Sequence, residues 1–337
     1  MNCCIYRKAL RPPRMNNEQE MLLSAVQANY YFGHLRIANE QPLLIETERG
    51  FKKIRIWEDE ALLKLHLQWR ERLVNDRYFI DRMYVTRSGF PSIRIGHYSV
   101  TCHDAPREQA SLVENEELWA GLITHLVQVS RSEPVDDRQF SSSARVHTVF
   151  EQAKNMNLQG LDLWKMIDAC FSSACGRAEQ ADRLRDPYRF QSKTFLLPDG
   201  FSSGTCTRLF DTLFFELGQS RPADGCRILA RFFLNEALAN GEQSVHKLFQ
   251  LLKSGGGFDQ KIADLVLAEW LEPDEWIWLV NAGVQAHEGQ NDDMTLKTFK
   301  QLWDKKILLI HIFRTIFPQP GETVGGTDFG ANGEQSD

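Results

Sequence analysis

Glu48-Arg49-Gly50-Phe51-Lys52-Lys53-Ile54-Arg55-Ile56-Trp57-Glu58-Asp59-Glu60 is the stretch that decides the fold. Leu43, Leu44 and Ile45 lead into it, Glu48-Arg49-Gly50 turns the chain, and Lys52, Ile54 and Ile56 resume an extended alternation. That pattern predicts a hairpin with paired lysines just after its turn. Glu58-Asp59-Glu60 then suits the positive end of a helix, and Leu62, Leu63, Leu65, Leu67, Trp69 and Leu73 follow at helical period, to a stop near Asn75. Phe79 to Val85 reads as a strand, Arg87-Ser88-Gly89 as a turn, and Ile93, Ile95, Tyr98 and Val100 as another strand. The predicted order is β-β-α-β-β.

Three segments carry a family resemblance: Glu48 to Glu60, Gln68-Trp69-Arg70-Glu71-Arg72-Leu73, and Phe79 to Pro91. They resemble the N-terminal lobe of the spore coat protein S type family, part of the aminoglycoside phosphotransferase and choline kinase-like group of spore-forming Firmicutes. The resemblance implies an α+β, bilobal, protein kinase-like fold with a small antiparallel-sheet lobe, a larger mostly helical lobe and a nucleoside triphosphate between them. It divides the chain into an N-terminal extension and helix (1–28), the small lobe (29–104), the helical lobe (105–317) and a disordered tail (318–337). Pro318 to Asp337, rich in Gly and polar residues, fits the last of these.

Composition narrows the function. The 337 residues suffice for a sizeable core, and 42% hydrophobic with 25% charged residues is ordinary for a globular protein. A net charge of −6 argues against general nucleic-acid binding. The absence of a long apolar run or signal-peptide core points to a cytoplasmic protein with no membrane partner. The seven cysteines form no Cys-x-x-Cys pair and no zinc-spaced array, so they read as reduced, mostly buried thiols. Cys3-Cys4 alone could serve as exposed cross-linking thiols.

Downstream, His103 to Glu117 is a polar linker, and helices are predicted over Leu118–Val129, Arg145–Asn155 and Leu161–Leu184. Short β-prone pieces at Thr194–Leu197 and Thr207–Phe210 follow. Helices then run over Asp224–Ala239, Gln243–Lys253, Phe258–Glu269, Asp274–Ala282 and Thr295–Ile316. Trp270, Trp276 and Trp278 read either as core at helical spacing or as an aromatic wall for a cationic acceptor.

A phosphotransferase of this kind needs a strand lysine, a helix acid to hold it, a catalytic-loop Asp and Asn, and a metal-binding Asp after a strand. Lys52 and Lys53 are the lysine candidates for nucleotide binding; on a strand only one faces inward, or both are exposed on an edge. Glu58, Glu60 and Glu71 are the helix acids, with Glu60 the choice for the nucleotide site. The family alignment makes Asp211 the metal ligand and Asp224 the opener of the next helix. It puts Tyr188 to Leu197 in place of the catalytic loop, and that stretch holds Tyr188 and Lys193 but no carboxylate and no Asn. No His-x-Asp occurs in the chain, and Asp328-Phe329-Gly330 lies in the Gly-rich tail with no strand before it.

Two readings of different class follow. One is a non-catalytic, pseudokinase-like binding or scaffold protein of the spore coat or sporulation type, in the mother-cell cytoplasm or the coat, with coat proteins as partners. The other is an ATP- and Mg-dependent small-molecule phosphotransferase acting on a hydroxyl acceptor.

Overall fold

Strand β3 (Gly50–Trp57) is the centre of a six-stranded antiparallel sheet, between β2 (Leu43–Thr47) and β7 (Tyr98–Asp104). Beyond β2 lies β1 (Arg36–Glu40); β7 also pairs with β5 (Met83–Tyr84) and β6 (Ile93–Ile95). The paired lysines are therefore on an interior strand, not on an edge. The computed structural model describes residues 17–106, 110–130, 133–134, 141–155, 162–189, 193–209, 211–285 and 292–319. Cys3-Cys4, Asp328-Phe329-Gly330 and the tail from residue 320 lie outside the described residues. The chain falls into two compact units: residues 1–108 with Phe214–Gln219, and 109–213 with 220–337.

In the first unit, Thr47 pairs with Gly50 across the β2–β3 turn, and Gly50 takes φ +82°, a conformation that favours glycine. One face of the sheet packs on α1 (Asn17–Tyr30): Leu22, Val26 and Tyr30 join Ile45, Ile54, Val100 and Cys102. The other face packs on α2 (Glu60–Leu73), which buries Leu63, His66, Trp69 and Leu73. Asp59 caps α2, accepting from the Ala61 and Leu62 amides at 2.8 and 3.2 Å. The single strand expected over Phe79–Val85 is two, β4 (Phe79–Ile80) and β5, broken at Asp81, whose φ is +42°. His103 and Asp104, expected in the linker, end β7. Phe214 and Phe215, the end of β12 (Thr212–Phe215), pair in parallel with β4.

The second unit is mostly helical: α3 (Glu116–Ser130), α4 (Ser142–Asn155), α5 (Asp162–Arg185), then α6 (Gly225–Asn240), α7 (Glu242–Ser254), α8 (Gln260–Leu271), α9 (Asp274–Gln285) and α10 (Asp292–Ile316). Short strands β8 (Glu133–Pro134) and β9 (Lys193–Thr194) pair with each other. Strand β10 (Leu196–Pro198) pairs with β13 (Pro222–Asp224), and β11 spans Cys206–Leu209. Phe233, Phe249, Trp270 and Phe313 pack edge to face or tilted, and the indoles of Trp270 and Trp276 donate to the Ala230 and Ile167 carbonyls at 2.9 and 3.0 Å. These two tryptophans are core, and Trp278 is 41% exposed. Glu275 is buried between Arg177 and Lys306, at 2.6 Å from each.

Helix α6 starts where Asp224 caps the Cys226 amide at 2.9 Å. Gly225 follows it because a Cβ there would lie 2.1 Å from the ring of Phe195, itself 1% exposed. Gly225→Ala should therefore overpack the β10–α6 junction and cost about 1–3 kcal/mol, read as a lower urea midpoint at unchanged slope. A midpoint equal to that of the parent protein would contradict this packing.

Candidate functional site

Alternation along β3 sends its two lysines to opposite faces of the sheet. Lys52 is 2% exposed and stands opposite Asp104 in the β3–β7 register. Its ammonium donates to Asp104 Oδ1 at 2.8 Å and to the Arg49 carbonyl at 2.5 Å. Tyr84 donates to the same Asp104 oxygen at 2.9 Å, and the Lys52 Nζ lies 5.1 Å from the Tyr84 ring centroid. Lys52 is thus a buried, neutralised cation.

Lys53, Arg55 and Trp57 share the face that α2 covers. Lys53 Nζ donates to Glu216 Oε2 at 2.5 Å, and the Arg55 guanidinium lies 3.6 Å from that oxygen. Glu216 is the first residue after β12 and belongs to the first unit with Lys53. Asp211, the aligned metal ligand, is an exposed turn residue between β11 and β12. A carboxylate that follows a strand and meets Lys53 is Glu216.

The helix acids do not meet the lysines. Glu60 is the exposed first residue of α2, 3.4 Å from the Arg94 guanidinium, and Glu58 and Glu71 are also exposed. The polar residue that α2 turns inward is His66. Its Nε2 lies 2.8 Å from Asp81 Oδ2, and His103 Nδ1 lies 3.2 Å from the same atom. Arg55 closes the cluster, with Nη1 donating to Asp81 Oδ2 at 3.1 Å and Nη2 at 3.0 Å from Oδ1. Asp81 is 0% exposed; its amide donates to the Phe215 carbonyl at 2.7 Å and its carbonyl accepts from Arg70 Nε at 3.0 Å.

The remaining aligned residues lie in the second unit. Tyr188 ends a 3-10 turn and donates to Asp264 Oδ2 at 2.6 Å, a packing contact with α8 that, together with burial, raises its pKa. Lys193 is in β9. Asp224 is a helix cap; burial raises its pKa despite the Arg227 and Cys226 amides. Outside the aligned set, Asp199, in the loop between β10 and β11, pairs with Arg231 at 3.1 Å, both about half exposed.

Burial alone would push the Asp81 carboxyl up, but the His103 ring and the Arg55 guanidinium hold it well below the usual carboxylate range. Burial pushes His103 down from 6.5 to about 4 against the pull of Asp81. A histidine with a depressed folded pKa binds its proton later than the unfolded chain does. Its stabilising contribution is complete above pH 6.5 and is lost as pH falls towards about 4. Asp81, depressed likewise, adds a loss at lower pH.

No protein-family model and no curated protein sequence matches the chain. Solved structures do. An aminoglycoside phosphotransferase from Alicyclobacillus acidocaldarius superposes with a TM-score of 0.65 at 12% identity, over 92% of this chain and 98% of that one. A spectinomycin phosphotransferase, solved with ADP and spectinomycin, gives a TM-score of 0.53 at 11% identity, over 88% of this chain and 98% of that one. The same type of enzyme bound to AMP gives 0.52 at 13% identity, over 87% and 97%. The chain has the aminoglycoside phosphotransferase-like, kinase-like fold.

The cluster makes a pH prediction. Between pH 6.5 and about 4 the parent protein should lose on the order of 3 kcal/mol of unfolding free energy through His103, and His103→Gln should flatten that slope. Urea melts across this range give the answer; equal slopes in the two proteins would remove His103 as the cause.

Proposed function

We propose that this kinase-fold chain works by binding and does not transfer phosphate. One observation carries the reading: a single carboxylate, Glu216, is engaged by both Lys53 and Arg55, while α2 turns a histidine inward where such an enzyme uses an acid. Phosphoryl transfer separates those tasks, with a helix acid for the lysine and a strand-end acid free for magnesium. Glu216 is engaged by two cations, which opposes its use as a magnesium ligand. The resemblance of residues 48–91 supports a place in the spore coat or a related sporulation assembly, with coat proteins as partners and the mother cell as origin.

A second reading has observations of its own. Glu216 follows a strand and touches a β3 lysine, and Asp199 is the one carboxylate in the loop before β11. If Lys53 and Glu216 part when nucleotide arrives, they become the phosphate and magnesium ligands of an ATP-dependent phosphotransferase with a hydroxyl acceptor.

Calorimetric titration with ATP, with and without magnesium, separates the two. The binding reading predicts that magnesium leaves any ATP affinity unchanged and that Glu216→Ala does not weaken it. Magnesium-dependent binding lost in Lys53→Ala and in Glu216→Ala would overturn it in favour of the enzyme.

A further inference from the structure

The cluster behind Lys53 contains more than charge compensation. His66 Nε2, His103 Nδ1 and Asp81 Oδ1 are fully buried, and none makes a hydrogen bond of acceptable geometry. Buried polar atoms are rarely left so, and the two unbonded ring nitrogens converge on one carboxylate oxygen, Asp81 Oδ2, which calls for a shared occupant. The nitrogen and oxygen ligand atoms of the three residues all lie within 4.8 Å of one another. We propose that His66 Nε2, His103 Nδ1 and Asp81 Oδ2 form a buried site for a zinc ion, with a water molecule as the fourth ligand.

The chemistry of the set fits. Two imidazoles and a carboxylate are a zinc ligand type, and imidazole nitrogens select zinc over magnesium or calcium. A tetrahedral zinc with bonds near 2.0–2.1 Å sets its ligand atoms roughly 3.3 Å apart. The separations of 2.8 Å (His66 to Asp81) and 3.2 Å (His103 to Asp81) are already close to that edge.

An outer layer is also in place. His103 Nε2 lies 2.7 Å from Thr101 Oγ1, which accepts from the Trp57 indole at 2.8 Å. If His103 Nε2 carries the proton and donates to Thr101, the Nδ1 lone pair is left for the metal, the usual way an outer partner fixes a ligand tautomer. Arg55 competes for Asp81 Oδ2, yet it retains Oδ1 at 3.0 Å and Glu216 at 3.6 Å when that oxygen turns to zinc. The ligands come from α2, the β4–β5 corner and β7, so the ion would pin three elements of the first unit together. Their spacing of 15 and 22 residues matches no sequence motif for zinc.

Because the ligands are buried, zinc should enter as the chain folds. The full chain is unfolded, refolded with zinc sulfate alone, dialysed, and its metal content measured. About one zinc per parent chain is expected, with a markedly lower content in His66→Gln and in His103→Gln. Refolding with cobalt(II) should give the visible absorption of a tetrahedral centre in the parent protein. Thr101→Val, which keeps the shape and removes the outer partner, should weaken zinc affinity by roughly 10–100-fold. A parent protein that retains no zinc and gives no cobalt spectrum, or zinc retained equally by the His66 and His103 variants, would overturn the site.

Discussion

A carboxylate with no exposure to solvent is the constraint around which the first unit is organised. Asp81 cannot be buried as an ion unless opposite charge and hydrogen-bond donors come with it. Arg55 comes from β3, His66 from α2 and His103 from β7, while its backbone is held by Phe215 and Arg70. Each partner fixes the element that carries it. The left-handed backbone at Asp81 follows from the same demand, since it turns the chain between β4 and β5 and directs the side chain inward. Removing Arg55 would leave the buried Asp81 carboxylate without its cation, so the cluster specifies one arrangement of sheet, helix and corner.

The same pairing shapes what this face can do chemically. Lys52 serves Asp104 on one side of β3, and Lys53 shares Glu216 with Arg55 on the other. Here both ammonium groups meet a carboxylate, and the cation deepest on the α2 side is an arginine committed to Asp81. The fold is aminoglycoside phosphotransferase-like, and within this unit each of the two lysines pairs with a carboxylate.

Much of this architecture is legible in the sequence because the periodicities are strong. The β2–β3 turn, α2 and the long series from α3 to α10 follow from apolar spacing, with boundaries moved by one or a few residues, since helix ends depend on caps such as Asp224. Strand β1 is not legible: Arg36–Glu40 is almost wholly exposed and carries no alternation. Strand β12 is hidden for the opposite reason, since Leu213, Phe214 and Phe215 are all buried and show no polar side. Asp211 accordingly lies in the turn between β11 and β12. The partners of the lysines were beyond sequence reading, because Glu216 lies 163 positions from Lys53 and only the folded chain joins them. Asp104 is invisible likewise until the register sets it opposite Lys52. His66 is one of nine histidines scattered along the chain, and its helical spacing with Leu63, Trp69 and Leu73 is the sign in the sequence that it faces inward.

The proposed binding role requires that the folded chain leave ATP intact. Phosphorus NMR of ATP and magnesium incubated with stoichiometric protein tests it most directly, because it detects transfer to water or to any added hydroxyl acceptor. ATP resonances should decay no faster than in a protein-free control. ADP signals growing with the parent protein and absent with Glu216→Ala would contradict it.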